Sequence, residues 1–166
     1  MNRFSTNLPR ILLAEDNAEM RTYLELLLKP HYDVTVVADG QAALDAFYRQ
    51  PPELVLSDVV MPLLDGMQLL QLLKAQPHTV QVPVILLSAH GGEQTRINAY
   101  QAGADDYLSK PFSSVELLAR MRRNWNTSAF VGRPRSACEA LLLRLRSLII
   151  SCADPILRSK WPMSNS

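Results

Sequence analysis

A doubly wound α/β fold, with a five-stranded parallel sheet between flanking helices, is what this 166-residue sequence predicts. Three observations carry that expectation. Short apolar runs alternate with helically periodic stretches along residues 1–126. The runs are nearly continuous rather than strictly alternating, as in strands covered on both faces. Turn and capping residues fall where one kind of segment hands over to the next.

The elements follow in order. The first strand is read at Ile11-Leu12-Leu13-Ala14, and after it Met20, Leu24, Leu27 and Leu28 share one helical face. Val34-Thr35-Val36-Val37 is the second strand. Asp39-Gly40 then turns into a helix whose stripe is Ala43, Leu44, Phe47 and Tyr48. Pro51-Pro52 stops that helix, because proline lacks the N–H and clashes with the preceding turn. The third strand is Leu54-Val55-Leu56, and Asp65-Gly66 leads into a stripe of Leu69, Leu70 and Leu73. Val84-Ile85-Leu86-Leu87 is the fourth. The helix expected over residues 94–102 is the weakest, with only Ile97, Ala99 and Tyr100 to bury. Tyr107-Leu108 is a short fifth strand, and Ser113-x-x-Glu116 fits a capping box before Leu117, Leu118 and Met121. Short links between successive strand–helix units imply right-handed crossovers.

Composition narrows the classes. Residues 1–126 hold 11 Lys/Arg and 14 Asp/Glu, a net of −3, while residues 127–166 hold 6 and 2, a net of +4. The whole chain is nearly neutral at +1, which gives no general attraction to nucleic acid or anionic lipid. Residues 1–8 are expected as an N-terminal extension without a signal-peptide core. No uncharged apolar run reaches the roughly 18 residues that span a bilayer, so a soluble, cytoplasmic protein is expected. Cys138 and Cys152 are the only cysteines. On one helix they would lie about 21 Å apart, too far to pair. The tail divides into a linker at 127–136 and a segment at 137–166 with a possible helix at 137–153. There Cys138, Leu142, Leu145, Ile149 and Cys152 make a seam of about two heptads, marginal for independent assembly. It could pack back on the main domain, dimerise, lie on a membrane surface, or be a remnant of a longer protein.

In a doubly wound sheet the ligand site lies beyond the carboxyl ends of the strands. That directs attention to residues 14–17, 58–62, 88–90 and 108–111, where Glu15, Asp16, Asp58, Ser88 and Lys110 stand. Singly, each has a modest explanation: acids and Asn17 at a helix start cap N–H groups, and a lysine is commonly a solvated charge. Together they are a constellation. Carboxylates from two strand ends repel unless a cation or proton intervenes. Mg²⁺ suits one or two carboxylates plus a phosphate. Lysine and serine can meet phosphoryl oxygens, so the parts of a transfer onto a carboxylate are present.

The chain resembles a response-regulator receiver domain over roughly residues 9–126. The resemblance rests on Ile11 to Asn17, Leu54 to Asp58, Met61-Pro62 with Asp65-Gly66, Pro83 to Ala89, Gly103 to Tyr107, and Lys110-Pro111-Phe112. It implies a flavodoxin-like sheet and a two-component phosphorelay role, in a stand-alone regulator or in the receiver of a hybrid histidine kinase. By that resemblance Asp58 takes a phosphoryl group from a histidine kinase or histidine phosphotransfer protein as an aspartyl phosphate. Asp16, Asp58 and the Val60 carbonyl bind Mg²⁺, with Glu15 acting largely through water. Lys110 contacts the phosphoryl group, and its bond to Pro111 is often cis. Ser88 and Tyr107 match a switch pair in which the hydroxyl moves toward the phosphate and the ring turns inward. Val60 and His90 would border the path of hydrolytic water, with His90 equally readable as a solvated loop residue, and an apolar Val60 implies modest self-hydrolysis. A downstream protein partner and a homodimer are further expectations, with no DNA-binding output domain.

Competing readings differ in class. An aspartyl-phosphate phosphatase or phosphomutase on a similar sheet typically needs a carboxylate two residues after the nucleophile, where this chain has Val60. A dinucleotide or P-loop enzyme needs a Gly-rich phosphate loop, and neither type is present. A receiver that no longer takes phosphate is disfavoured, because every site position of the family is filled.

Overall fold

The computed structural model describes residues 8–89 and 92–129. His90, the Cys138–Cys152 segment, the expected helix at 137–153 and most of the expected linker and N-terminal extension lie outside the described residues. Among the described residues ten elements alternate strand with helix: β1 Arg10–Ala14, α1 Ala18–Leu28, β2 Asp33–Val37, α2 Gly40–Arg49, β3 Leu54–Asp58, α3 Gly66–Lys74, β4 Val84–Ser88, α4 Glu93–Gln101, β5 Asp106–Ser109 and α5 Ser114–Ala129. The strands form one sheet in the order β2-β1-β3-β4-β5, and every pairing is parallel. The order reverses between β1 and β3, so the crevice of such a sheet falls beyond their carboxyl ends.

Strand side chains alternate across the sheet, and the two faces build separate cores. On one face Leu12, Val55, Leu86 and Tyr107 pack with Ala43 and Phe47 of α2, Leu69, Leu70 and Leu73 of α3, and Ala99 of α4. On the other, Ile11, Leu13, Leu56, Leu87 and Leu108 meet Leu24 and Leu28 of α1 and Leu117 and Met121 of α5. Each fully buried leucine contributes about 1.5–3 kcal/mol relative to its exposed state. The central strands β3 and β4 are buried at every residue, whereas edge strand β2 is not fully buried anywhere. That is why only the central strands are shielded along their whole length.

Several local expectations change. Tyr48 leaves the buried face of α2 and is 47% exposed, because the stripe of that helix narrows to Ala43 and Phe47. In α4 only Ala99 is buried, while Ile97 and Tyr100 stand out to solvent. Ser113 Oγ accepts from the Glu116 N–H at 3.1 Å, but the Glu116 carboxylate turns to Arg120 at 2.9 Å. A full capping box forms instead at α3, between Asp65 and Gln68. Helix α5 runs to Ala129, past the position 127 where a linker was expected to begin. The Lys110–Pro111 bond is cis.

Gly66 has a steric role tied to the site. Its N–H donates to the Val59 carbonyl at 2.9 Å. A Cβ there would lie 2.1 Å from the Asp58 carbonyl oxygen, which is backbone and cannot rotate away. Gly66→Ala is therefore expected to cost about 2–3 kcal/mol through overpacking. Urea unfolding checks this, and a loss under 0.5 kcal/mol would mean that the loop yields freely.

Candidate functional site

The parallel pairing of β1 with β3 brings together residues 43 positions apart in sequence. β1 ends at Ala14, so Glu15 and Asp16 stand at the rim of the crevice; β3 ends on Asp58 itself. The three side chains offer oxygens that lie within 4.8 Å of one another. Glu15 is fully buried, Asp58 is 7% exposed and Asp16 is exposed. The Glu15 N–H is bound to the Val37 carbonyl at 3.2 Å, which continues the β1–β2 ladder one residue beyond β1. Asn17 then starts α1 by accepting from the Met20 N–H at 2.9 Å. Arg21, one turn along α1, donates to the Glu15 and Asp16 carbonyls at 2.8 and 3.0 Å.

Lys110 enters from the loop after β5. The backbone places it there: its N–H donates to the Ser88 carbonyl at 2.7 Å, extending the β4–β5 ladder. Its Nζ donates to Asp58 Oδ2 at 2.8 Å and to Glu15 Oε2 and Oε1 at 2.8 and 3.1 Å. One ammonium thus bridges the two buried acids of the cluster. The Val60 N–H approaches Asp58 Oδ1 at 3.4 Å, a weak contact, and the Val60 side chain projects into solvent. Ser88 is buried at the end of β4, beside the Asp58 strand. Tyr107, expected to turn inward, already lies inward at 3% exposed, packed with Ala99 and Ala104.

Electrostatics follow from this geometry. Burial raises the Glu15 pKa most; the neighbouring Asp58 charge adds to that, and the Lys110 hydrogen bond pulls against it. Burial acts to lower the Lys110 pKa, but its bonds and charge contacts with Asp58 and Glu15 outweigh it and the net direction is up. Raised values favour the protonated form in the folded state. The Glu15 contribution to stability is therefore present below the ordinary glutamate range and is lost as pH rises through its raised value. At neutral pH the pocket holds more negative charge than one lysine balances. Three carboxylates of mixed exposure with oxygen donors within 4.8 Å fit a hard divalent cation.

Of the residues the sequence singles out, Glu15, Asp16, Asp58 and Lys110 are brought together by the fold, while Ser88 ends the neighbouring strand and Tyr107 is packed in the core. Sequence reasoning missed Arg21 and the close approach of Gly66. The signal for Arg21 was its place one turn after a helix-starting Asn17; a backbone-directed side chain leaves no spacing pattern of its own.

An open parallel sheet with an acidic cluster and a bridging lysine at its switch point is the arrangement on which comparisons with known proteins converge. The model of the response regulator receiver domain matches residues 11–122, and the chain belongs to that family. PfeR, a transcriptional activator of Pseudomonas aeruginosa, is 46% identical over 113 residues, covering 68% of this chain and 36% of PfeR. TmoS, a sensor histidine kinase of Ectopseudomonas mendocina, is 35% identical over 119 residues, 72% of this chain and 12% of TmoS. Among solved structures, the receiver domain of a Pseudomonas aeruginosa sensor histidine kinase is 38% identical with a TM-score of 0.66. That match covers 72% of this chain and 98% of that one, whose structure has a magnesium ion coordinated in the active-site cleft. Receiver domains of this kind thus occur both in response regulators and in histidine kinases, and this chain is mostly receiver domain. The chain spans well under half the length of PfeR and TmoS. Among the described residues no helix is long and apolar enough to cross a membrane.

Proposed function

We propose that Asp58 is the phosphoacceptor of a two-component relay and that a phosphohistidine protein, a histidine kinase or histidine phosphotransfer protein, is its donor. The observation that carries this is the bridge from Lys110 to Asp58 Oδ2 and Glu15, with Asp16 beside it, at the switch point of the sheet. In the transfer, an Asp58 carboxylate oxygen attacks phosphorus as the P–N bond to imidazole breaks, and the imidazole leaves. Lys110 is close enough to exchange a carboxylate for a phosphoryl oxygen without moving far. Glu15, Asp16, Asp58 and the Val60 carbonyl would hold Mg²⁺, which supplies charge neutralisation for the phosphoryl oxygens when bound. Conversion of the Asp58 carboxylate to a dianionic acyl phosphate, a net gain of about one negative charge with three new acceptor oxygens, then biases Ser88 and Lys110 toward the modified Asp58 and reweights the packing around Tyr107 and α4.

On this reading residues 9–126 form the receiver, and it acts in the cytoplasm as a switch for a protein partner. It assists its own phosphorylation and dephosphorylation and turns over no other substrate. Incubation with a small phosphoramidate and Mg²⁺ should label the protein to one phosphoryl group per chain, with the alkali lability of an acyl phosphate. Multiple turnover of a phosphate ester would instead favour a phosphatase.

The metal reading has its own test. Mg²⁺ at about ten times its dissociation constant should stabilise the protein by about 1.4 kcal/mol. The rise in Tm should vanish in Asp16→Asn. An equal rise in both proteins would place the ion elsewhere.

A further inference from the structure

We infer that Arg21 is a positioning residue for the divalent-cation site, holding in place the loop that presents Glu15 and Asp16; the inference rests on the metal reading above. Arg21 lies half-buried on α1, and a single nitrogen, Nη1, donates to both the Glu15 carbonyl at 2.8 Å and the Asp16 carbonyl at 3.0 Å. Those carbonyls belong to the peptide groups on either side of the Asp16 Cα. Fixing both peptide planes fixes the direction in which the Asp16 side chain leaves the backbone.

The need for such a hold follows from charge. Asp16 is exposed, and its carboxylate faces like charge from Glu15 and Asp58, which pushes it away from the cluster. Glu15 is anchored by its N–H to Val37 at 3.2 Å and by Lys110, and Asn17 by its cap on Met20. Between those anchors the Arg21 side chain spans the Asp16 peptides. A guanidinium suits the task because it stays charged at all working pH values and its nitrogens are rigidly oriented.

Two effects of removing Arg21 oppose each other, which makes the inference testable. Loss of the hold should weaken cation binding, whereas loss of a nearby positive charge should strengthen it. Mg²⁺ titrations followed by amide shifts in NMR would compare wild type, Arg21→Met, Arg21→Lys, Asp16→Asn and Arg49→Met. The last removes an exposed arginine on α2 and controls for net charge. Arg21→Met should bind Mg²⁺ about tenfold more weakly, the scale typical of residues that orient metal ligands. Arg21→Lys, which keeps the charge and can still donate, should recover affinity to within about threefold. Arg49→Met should match wild type. Each Tm without metal reports whether the variant is folded, and Arg21→Lys carries the comparison if Arg21→Met is not. Arg21→Met affinity within twofold of wild type, or tighter, would overturn the inference while leaving the metal site standing. So would an Arg21→Lys variant that binds tenfold more weakly than wild type. Absence of site-directed shifts in wild type itself, or shifts unchanged in Asp16→Asn, would overturn the metal reading and this inference with it.

Discussion

Asp58→Ala is expected to abolish phosphoryl uptake while leaving the fold intact. The residue ends a strand buried along its whole length, but its side chain reaches the crevice rather than either core. Removing the carboxylate deletes the proposed nucleophile and one partner of Lys110, which keeps its two contacts with Glu15. It also removes one of three clustered negative charges, so metal-free stability should hold or rise by about 1 kcal/mol. Labelling with a radiolabelled phosphoramidate should fall below detection, and thermal unfolding should stay cooperative. Undiminished labelling of a folded variant would move the acceptor to another residue.

Lys110→Met should have the second-largest effect, and on two measurements at once. The ammonium is the one cation in contact with both Asp58 and the fully buried Glu15 among the described residues. Removing it strands Glu15 without its ion-pair partner, a cost of about 3 kcal/mol at pH 7. The sign with pH is fixed by the acid. Glu15 in the variant would be driven further toward its protonated form, so its folded-state pKa lies higher still. The penalty should be larger at neutral than at acidic pH, because protonation of Glu15 removes the stranded charge. Denaturant unfolding at pH 7 and pH 5 measures that difference. Phosphorylation from a small donor should slow by about a hundredfold, the scale for losing one charged contact to a reacting oxygen. Equal losses of stability at both pH values would show that Lys110 does not balance Glu15.

The two predictions separate the roles of neighbouring residues. Loss of Asp58 should remove phosphoryl uptake at little cost in stability, whereas loss of Lys110 should reduce both. Arg21 hydrogen-bonds to backbone carbonyls and Gly66 lies close against the Asp58 backbone, so their effects should appear in metal affinity and in folding respectively.

The sequence by itself determined the element order, the two-sided burial of the central strands and the four residues at the crevice. These were legible because each rests on a local signal. Continuous apolar runs mark strands covered on both faces, helical spacing marks a buried stripe, and polar residues at strand ends are conspicuous after such runs. The family resemblance was legible for the same reason, in six short segments that keep their order. Tertiary structure alone decided that Lys110 binds Glu15 as well as Asp58, across 95 positions of sequence. It alone showed Tyr107 already packed inward, Tyr48 turned out, and the true capping box at Asp65 rather than Ser113. It also revealed Arg21 reaching back to two carbonyls and Gly66 pressed against the Asp58 backbone. Those facts depend on distances set by the parallel pairing of β1 with β3 and by how helices seat on the sheet, and no residue pattern along the chain encodes a distance across it.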